Sequence, residues 1–405
     1  MSFTPSQQVL ERYADVLVNF ALGGGAGIKP GDVVRVFAHE AAKSLYGELH
    51  RAVWRAGGHT IGSYAPDEDR TLNLGRDFYE VANDAQLDYF AGEYMRGLID
   101  QIDHQVSVIS ESDMHALEGV DPARIMRTGL ALKPAMEWRT SKENAGAFSW
   151  TLGLYGTPAM AAEAGLSEEE YWQQIIDACL LEDDEPIARW REVSAQIHEY
   201  LHRLNVLPIE RLHVLGEDVD LRISLGEQRQ WVGGSGRNIP SFEIFTSPDW
   251  RGTEGWIAFN QPLYRYGNLV RGVRLEFAEG RVVKASAEQN EHLLTQMVAT
   301  ENADKVGEFS LTDRRFSRIT KFMAQTLFDE NVGGPFGNTH IAVGKSYHDA
   351  YAGDPGSIAT EEWERLGFND STVHTDMVST TDRTVTATMA DGSELVLYAG
   401  GEFQI

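Results

Sequence analysis

The sequence is poor in the residues that fix covalent or membrane architecture. It contains one cysteine, Cys179, in 405 residues, which excludes an intrachain disulfide and a metal site built from several cysteines. No apolar run approaches the ~20 residues that span a bilayer. The first residues also lack the basic leader and apolar core of a secretory signal. We therefore expect a reducing cytoplasm and no membrane partner.

Positive charge is scarce as well. The chain has 35 lysines and arginines against 61 aspartates and glutamates, a formal net charge of −26. A nucleic-acid partner would require a local basic stripe, yet the arginines are scattered and Arg314–Arg315 is their only adjacent pair. We expect no nucleic-acid partner. With 42% hydrophobic residues the composition is that of a globular protein, and the length predicts two domains.

Strands and helices alternate through the first half of the sequence. Short apolar runs predict strands at Val33 to Phe37, His59 to Tyr64 and Val106 to Ile109. Helical periodicity predicts helices from Ala42 to Ala56 and from about Leu87 to Ile99. Such alternation is typical of an α/β layer with a mostly parallel sheet.

Two helices are predicted before the middle of the chain. Ser167 and Glu170 have the spacing of a capping box, and Pro186 opens a second amphipathic pattern that ends near Leu204. Cys179 lies in the apolar part of this stretch, which favours an inert core thiol over a reactive one.

After Pro208 the pattern changes to short alternating segments with glycine and asparagine turns. It predicts an α+β domain rich in antiparallel sheet, with a hairpin between Val270 and Ala285 and a helix between Phe316 and Leu327. The fold class is therefore α/β, with an N-terminal α/β domain over residues 1–207 and a C-terminal α+β domain over residues 208–405.

Three glycine-containing segments resemble known motifs but lack one of their required features. The run from Gly23 to Gly27 precedes a strand and lacks the dinucleotide-binding spacing, which favours a flexible connection. The segment Gly344–Lys345–Ser346 lacks the upstream glycine of a phosphate loop, because that position is Thr339. The nucleophile elbow is excluded at Gly233–Gly236, because Arg237 stands where its last glycine is required.

The segment from His198 to His202 matches the zinc-protease pattern HExxH on a predicted helix. The apolar stripe of that helix centres near Ile197 and Leu204, and His202 points almost opposite to it. This orientation favours a surface pair of histidines over a zinc site.

The second domain contains a better set of metal ligands. His374 and Asp376 are two residues apart in a strand-like run, so their side chains share a face. His340 opens another such run, with Tyr347 seven residues later. Glu243 and Glu308 each stand among large apolar residues, where a carboxylate is either surface-facing or held by a strong partner.

Together these segments resemble the aminopeptidase T and aminopeptidase S family of two-metal exopeptidases, the thermophilic-type metalloaminopeptidases. The matching segments cover the second domain in order and spacing: Asn238–Pro248, Val306–Glu308, Leu327–Asn331, His340–Gly344 with Tyr347, and Val373–Asp376. Gly156–Ala159 through Gly165–Ser167 and Tyr171–Trp172 look like the first-domain signature of the family.

The resemblance implies a metal-dependent aminopeptidase that releases N-terminal amino acids from short peptides through a two-metal-activated water. The metal ligands that it implies are Glu243, Glu308, Glu330, His340, His374 and Asp376. Glu308 would bridge two divalent ions, Glu330 would be a further ligand or the general base, and Tyr347 a weak ligand or, preferably, an oxyanion donor. Zinc, cobalt, manganese and magnesium all suit such ligands. A homodimer is also implied.

A second function stays open. His340, His374 and Asp376 alone would compose the two-histidine, one-carboxylate triad of a mononuclear iron ring-cleaving dioxygenase. The additional acids Glu243 and Glu308 argue against it, because a single iron with open positions does not need them.

Overall fold

The computed structural model describes residues 3–69, 71–265 and 267–405. Its contacts divide the chain into two compact units. The first comprises Met1–Ala195, Gly234–Ser241 and Met323–Leu327, and the second comprises Gln196–Gly233, Phe242–Phe322 and Phe328–Ile405. The sequence-based boundary between residues 207 and 208 stays a prediction.

The first unit is built around a four-stranded, all-parallel sheet of order β2-β1-β3-β4. Its strands are β1 Val33–His39, β2 His59–Ala65, β3 His104–Ile109 and β4 Ser149–Leu154. Parallel strands require crossover connections, and the intervening segments supply helices for them. The alternation read from the sequence predicts this arrangement.

Among the described residues, ten α-helices begin before residue 196, and the last of them continues into the second unit. They are α1 Gln7–Val16, α2 Lys43–Arg55, α3 Leu74–Val81, α4 Asp84–Leu87, α5 Gly92–Gln101, α6 Pro122–Ala131, α7 Lys133–Asn144, α8 Pro158–Glu163, α9 Glu168–Ala178 and α10 Pro186–Asn205. The single helix predicted near Leu87 to Ile99 is instead two, α4 and α5. The predicted capping box of α9 is confirmed, because Ser167 and Glu170 satisfy each other's backbone amides. Cys179 is fully buried, as predicted.

The second unit contains antiparallel sheets. The larger has eight strands in the order β13-β12-β9-β6-β5-β17-β18-β19. Its members are β5 Ile209–Gly216, β6 Val219–Ser224, β9 Asp249–Ala258, β12 Arg274–Ala278, β13 Arg281–Ser286, β17 Arg383–Met389, β18 Glu394–Ala399 and β19 Glu402–Phe403. A two-stranded ribbon joins β10 Leu263–Arg265 to β11 Asn268–Val270. The predicted α/β fold class, with a parallel sheet followed by antiparallel sheet, is confirmed.

The smaller sheet has five strands in the order β16-β15-β14-β8-β7. Its strands are β7 Val232–Gly233, β8 Glu243–Thr246, β14 Val306–Thr312, β15 Asn338–Gly344 and β16 His374–Ser379. Every residue of β8, β14 and β15 is buried. Three short helices follow α10 in the described residues: α11 Glu291–Val298, α12 Thr326–Asp329, which begins in the first unit, and α13 Thr360–Arg365.

The predicted helix between Phe316 and Leu327 is wrong. This segment consists of turns and irregular backbone up to α12. Ala324 has a φ of +51°, which a right-handed helix does not allow, and the Ser317 hydroxyl donates to the carbonyl of Asn331. Tertiary contacts thus replace the helical hydrogen bonds. Among the helices of the described residues, none combines the length and apolar character needed to cross a bilayer.

Candidate metal centre

Polar side chains collect on one face of the five-stranded sheet. In an antiparallel sheet, residues directly opposite each other share a face. His340 of β15 lies opposite Ser310 of β14, while Glu308 lies opposite Ala342, which in turn lies opposite Asp376 of β16. Since alternate residues of one strand also share a face, Glu308, His340 and Asp376 point to the same side.

Strands β8 and β16 each add a further residue to this face. Glu243 stands two residues before Phe245, which lies opposite Ser310. His374 stands two residues before Asp376, at the position opposite Gly344. The side chains of Glu243 and His374 therefore join the same polar face from opposite directions.

A β-bulge precedes Glu308. Val306 pairs with Val343 and Glu308 with Ala342, so Gly307 is the extra residue of β14. A Cβ atom at this position would lie 2.3 Å from the carbonyl oxygen of Lys345. Only glycine fits this close approach, and the bulge sets the register in which Glu308 faces the polar side of the sheet.

His340 forms the centre of one group of potential ligands. Its Nε2 lies 3.2 Å from Oε1 of Glu308 and 3.3 Å from Oε2 of Glu243. The ring is fully buried, and its Nδ1 lies 3.4 Å from the Asn338 Oδ1. The Ser310 hydroxyl donates to Glu243 at 3.3 Å. These outer contacts orient the imidazole and the carboxylate towards each other.

His374 belongs to a second group. Its Nε2 lies 3.4 Å from Oδ1 of Asp376 and 3.8 Å from Oε2 of Glu308. Its Nδ1 lies 2.8 Å from the carbonyl oxygen of Lys345, which can only accept a hydrogen bond. The proton of a neutral His374 is therefore on Nδ1, and Nε2 presents its lone pair to the carboxylates.

Glu308 belongs to both groups. The potential ligand atoms of Glu243, Glu308 and His340 all lie within 4.8 Å of one another, and so do those of Glu308, His374 and Asp376. One carboxylate oxygen of Glu308 faces His340 and the other faces His374. The two groups of potential ligands therefore share the carboxylate of Glu308.

The electrostatics of the cluster reflect its burial. Burial raises the pKa of Glu308 to about 7, partly opposed by its hydrogen bond with His340. Burial opposes the charged form of His374, but the carboxylate of Asp376 outweighs it and raises the His374 pKa to about 9. Burial likewise opposes a charge on His340, yet hydrogen bonds to Glu243 and Glu308 raise its pKa above the usual range. Without another cation in the cluster, Glu308, His340 and His374 therefore keep their protons to higher pH than usual.

The donor set fits divalent metal ions. Within the described residues neither Glu243 nor Glu308 is paired with a lysine or an arginine, although both carboxylates are buried. Burying several carboxylates with only histidines as partners is costly, and a cation bound among them offsets that cost. Imidazole nitrogens and carboxylate oxygens without thiolate suit zinc, cobalt, manganese or magnesium.

The two remaining candidates lie outside both groups. Glu330 follows α12 and is buried; burial, together with the charges of Glu243 and Asp376, raises its pKa well above the usual range. Asn331 donates to Glu330 Oε1 at 3.4 Å. Tyr347 is half-buried, and its ring packs edge-on against that of His374, with 4.8 Å between centroids.

The HExxH histidines are elsewhere. His198 and His202 are exposed on α10, whereas Ile197 and Leu204 of the same helix are buried. Neither histidine joins a group of potential metal ligands among the described residues. The orienting residues Ser310 and Asn338 were missed from the sequence. Each lies two positions from a predicted ligand on the same strand, so strand periodicity was the pattern that could have identified them.

Comparisons with known proteins extend the likeness along the whole chain. A family model described as thermophilic metalloprotease (M29) matches residues 6–403. Aminopeptidase T from Thermus aquaticus is 32% identical over 316 residues, which cover 73% of this chain and 76% of the relative. Aminopeptidase PepS from Streptococcus thermophilus is 26% identical over 98% of both chains. The solved structure of wild-type AmpT from Thermus thermophilus has a TM-score of 0.81 at 26% identity, covering 98% of this chain and 99% of that one.

Proposed function

The chain belongs to the family of thermophilic metalloproteases (M29), and we propose that it is a two-metal aminopeptidase acting on short peptides with a free N-terminus. Its similarity to curated aminopeptidases supports a metallo-aminopeptidase, a hydrolase of peptide bonds. One observation carries the two-metal proposal. The two carboxylate oxygens of Glu308 face different histidines, each of which has a further acid beside it.

The proposed ligands divide between two sites. Glu243 and His340 would hold one ion, His374 and Asp376 the other, and Glu308 would bridge them. Two adjacent divalent ions, when bound, supply a lowered pKa for water and polarisation of the scissile carbonyl. The sheet keeps the five side chains on one face, so little rearrangement is required when the site is loaded.

Glu330 is proposed as the general base. It lies outside both groups of potential ligands, but the negative charges of Glu243, Asp376 and Glu308 raise its pKa. Its carboxylate would accept the proton of the attacking water and pass it to the leaving amine. This assignment chooses between the two roles that the sequence leaves open, ligand and base.

Tyr347 is proposed as a donor to the developing oxyanion. Its ring is held between Phe245, at 5.9 Å between centroids, and His374, at 4.8 Å. The backbone amide of Tyr347 donates to the Ser247 hydroxyl at 2.9 Å. A phenol held in this way can donate its proton without reorganisation when charge develops on the carbonyl oxygen.

The grouping of the histidines disfavours the dioxygenase alternative. A mononuclear iron triad requires His340, His374 and Asp376 around one ion, whereas His340 groups with Glu243 and Glu308 instead. One iron per chain together with oxygen consumption would favour the dioxygenase over the peptidase.

The decisive experiment combines metal analysis with a panel of di- and tripeptides, each free and N-acetylated. We expect two divalent ions per chain, release of the N-terminal residue from the free peptides, and loss of that release after chelation. Equal cleavage of the acetylated peptides would contradict an aminopeptidase. We further propose that the protein forms a homodimer. We also propose a cytoplasmic location, in line with the single buried cysteine.

A further inference from the structure

The first unit contains a cavity of about 530 Å³ at the amino ends of its parallel strands. Strands β3 and β4 begin there with His104 and Ser149, and Asp32 immediately precedes β1. The glycine-rich turn from Gly23 to Gly27, which matches no nucleotide-binding motif, forms part of the wall. None of these residues belongs to the candidate metal centre.

Three of the lining residues form a continuous hydrogen-bond chain. Nδ1 of His104 lies 2.8 Å from the Ser149 hydroxyl oxygen, and Nε2 lies 3.0 Å from Oδ2 of Asp32. An ionised Asp32 can only accept, so Nε2 carries the proton of the neutral ring. Nδ1 is then the acceptor of the Ser149 proton. The order serine, histidine, aspartate is that of an activated nucleophile, its base and the group that orients the base.

Further hydrogen bonds orient the two ends of this hydrogen-bond chain. Asp32 also accepts the backbone amide of Lys29 at 2.6 Å, which fixes its orientation. The Ser149 hydroxyl accepts the Gly23 amide at 2.9 Å, a contact that stabilises negative charge on that oxygen. The neighbouring Gly24 lines the cavity, and its backbone amide donates to no acceptor among the described residues.

We propose that Ser149, His104 and Asp32 form a second hydrolytic site, independent of metal, that cleaves esters of small carboxylic acids. The wall residues set the substrate class. Phe148 and Trp150 offer apolar surface. Three acids of the wall, Asp32, Asp103 and Glu143, outnumber its cations Lys29 and Arg237, and Arg237 is paired with Glu143 at 2.9 Å. The cavity therefore favours a small, uncharged acyl ester over an anionic one, and its volume lies within the range of small-molecule sites.

The reaction balances with water as its only co-reactant. The Ser149 oxygen bonds to the ester carbonyl carbon while its proton moves to Nδ1 of His104, and in this proposal the Gly24 amide donates to the carbonyl oxygen. The bond to the alcohol oxygen then breaks, and the alcohol leaves with the proton from His104. Water next attacks the acyl-Ser149 carbonyl and gives a proton to His104. Cleavage of the acyl–serine bond releases the carboxylic acid, and the proton returns to Ser149.

The test uses p-nitrophenyl acetate and the full-length chain, with its metal ions in place and again after chelation. We expect p-nitrophenol release that survives chelation, and an acetyl group on the peptide containing Ser149 in mass spectra of the quenched reaction. Ser149→Ala should abolish both, and His104→Ala should lower the rate about 100-fold, the low end of a general-base contribution.

Ser107→Ala is the matched control, because Ser107 is a half-buried strand serine of the same sheet that accepts one side-chain hydrogen bond and does not line the cavity. It should keep the chelation-resistant rate. Circular dichroism on every variant checks folding. Chelation-resistant release that is unchanged in Ser149→Ala, an acetyl group found only on other residues, or no release above that of the heat-unfolded chain would overturn the proposal. In any of these cases the hydrogen-bond chain only ties the strand ends together.

Discussion

At the scale of single residues, Glu308 is distinguished by the use of both carboxylate oxygens. Replacing it with glutamine keeps the shape but removes the charge shared by the two groups of ligands. We expect Glu308→Gln to lower the rate of peptide release more than about 100-fold. Mutation of residues that merely hydrogen-bond to metal ligands already lowers metal affinity or activity about 10- to 100-fold. Metal analysis of the same sample should show fewer than two ions per chain.

The matched control is Glu394→Gln on the exposed strand β18. It removes the same charge from the molecule and should keep both metal content and activity. Full activity of Glu308→Gln would contradict the assignment of Glu308 as a bridge.

Glu330 allows its two possible roles to be separated. If it is the general base, Glu330→Gln should retain two ions per chain and lower kcat by about 100-fold or more, with little change in KM. A ligand role predicts loss of metal instead. Elemental analysis and steady-state kinetics on one preparation distinguish the two.

Tyr347→Phe removes only the phenolic hydroxyl and leaves the ring against His374. A donor that acts on the oxyanion should cost about 100-fold in kcat when it is removed. The variant should keep its metal ions, and KM for a dipeptide should change little. An unaltered kcat would exclude Tyr347 from the reaction.

Proton competition governs metal uptake at the site. In the metal-free protein the pKa of Glu308 is raised to about 7 and that of His374 to about 9, so both groups carry protons at pH 6. An incoming ion must displace them. The apparent affinity for zinc should therefore rise between pH 6 and pH 9. Calorimetry in buffers of different ionisation enthalpy should report proton release at the lower pH.

At the scale of elements, the bulge of β14 positions a ligand without being one. A methyl group at Gly307 would meet the carbonyl oxygens of Lys345 and Gly344 at 2.3 and 2.5 Å. We expect Gly307→Ala to shift β14, lower the thermal midpoint of the second unit and reduce metal content. Gly97→Ala is the control, because this exposed helical glycine has no atom within 4 Å of an added Cβ. That change should be neutral or stabilising by up to about 1 kcal/mol.

The elements that local patterns predict well are those with local hydrogen bonds. The capping box of Ser167 and Glu170 lies within one turn of helix, and the structure has it as expected. The helix predicted between Phe316 and Leu327 fails because contacts distant in sequence decide that segment, such as the bond from Ser317 to Asn331. Periodicity cannot detect such contacts.

The same limit applies to the site. His374 and Asp376 are two positions apart, so strand alternation alone places them on one face. Glu308 joins them only through the pairing of three strands and a bulge, which no local pattern encodes. The resemblance of ordered segments supplied the set of candidate residues, and the structure groups four of the other five candidate metal ligands with Glu308.

At the scale of the whole molecule, the acidic surplus has two components. Glu243, Glu308, Glu330 and Asp376 are four of the 61 acids, and bound ions would neutralise this local charge. The remaining acidic surplus favours solubility and opposes the binding of nucleic acids.

The proposed homodimer can be tested by its mass in solution. Light scattering of the metal-loaded protein should give twice the chain mass of 45.1 kDa, constant over a tenfold dilution. A mass equal to one chain, with full peptidase activity, would exclude the homodimer as a requirement for function.

The four strands that carry the proposed metal ligands also determine when in folding a complete site can exist. The ligands span residues 243 to 376 and come from β8, β14, β15 and β16. Pairing strands so distant in sequence is slow, because loop closure precedes any stabilising contact. The full ligand set therefore forms late, and an ion cannot act as a nucleus of folding as it does in a zinc finger. Bound metal should therefore leave the refolding rate unchanged and lower the unfolding rate.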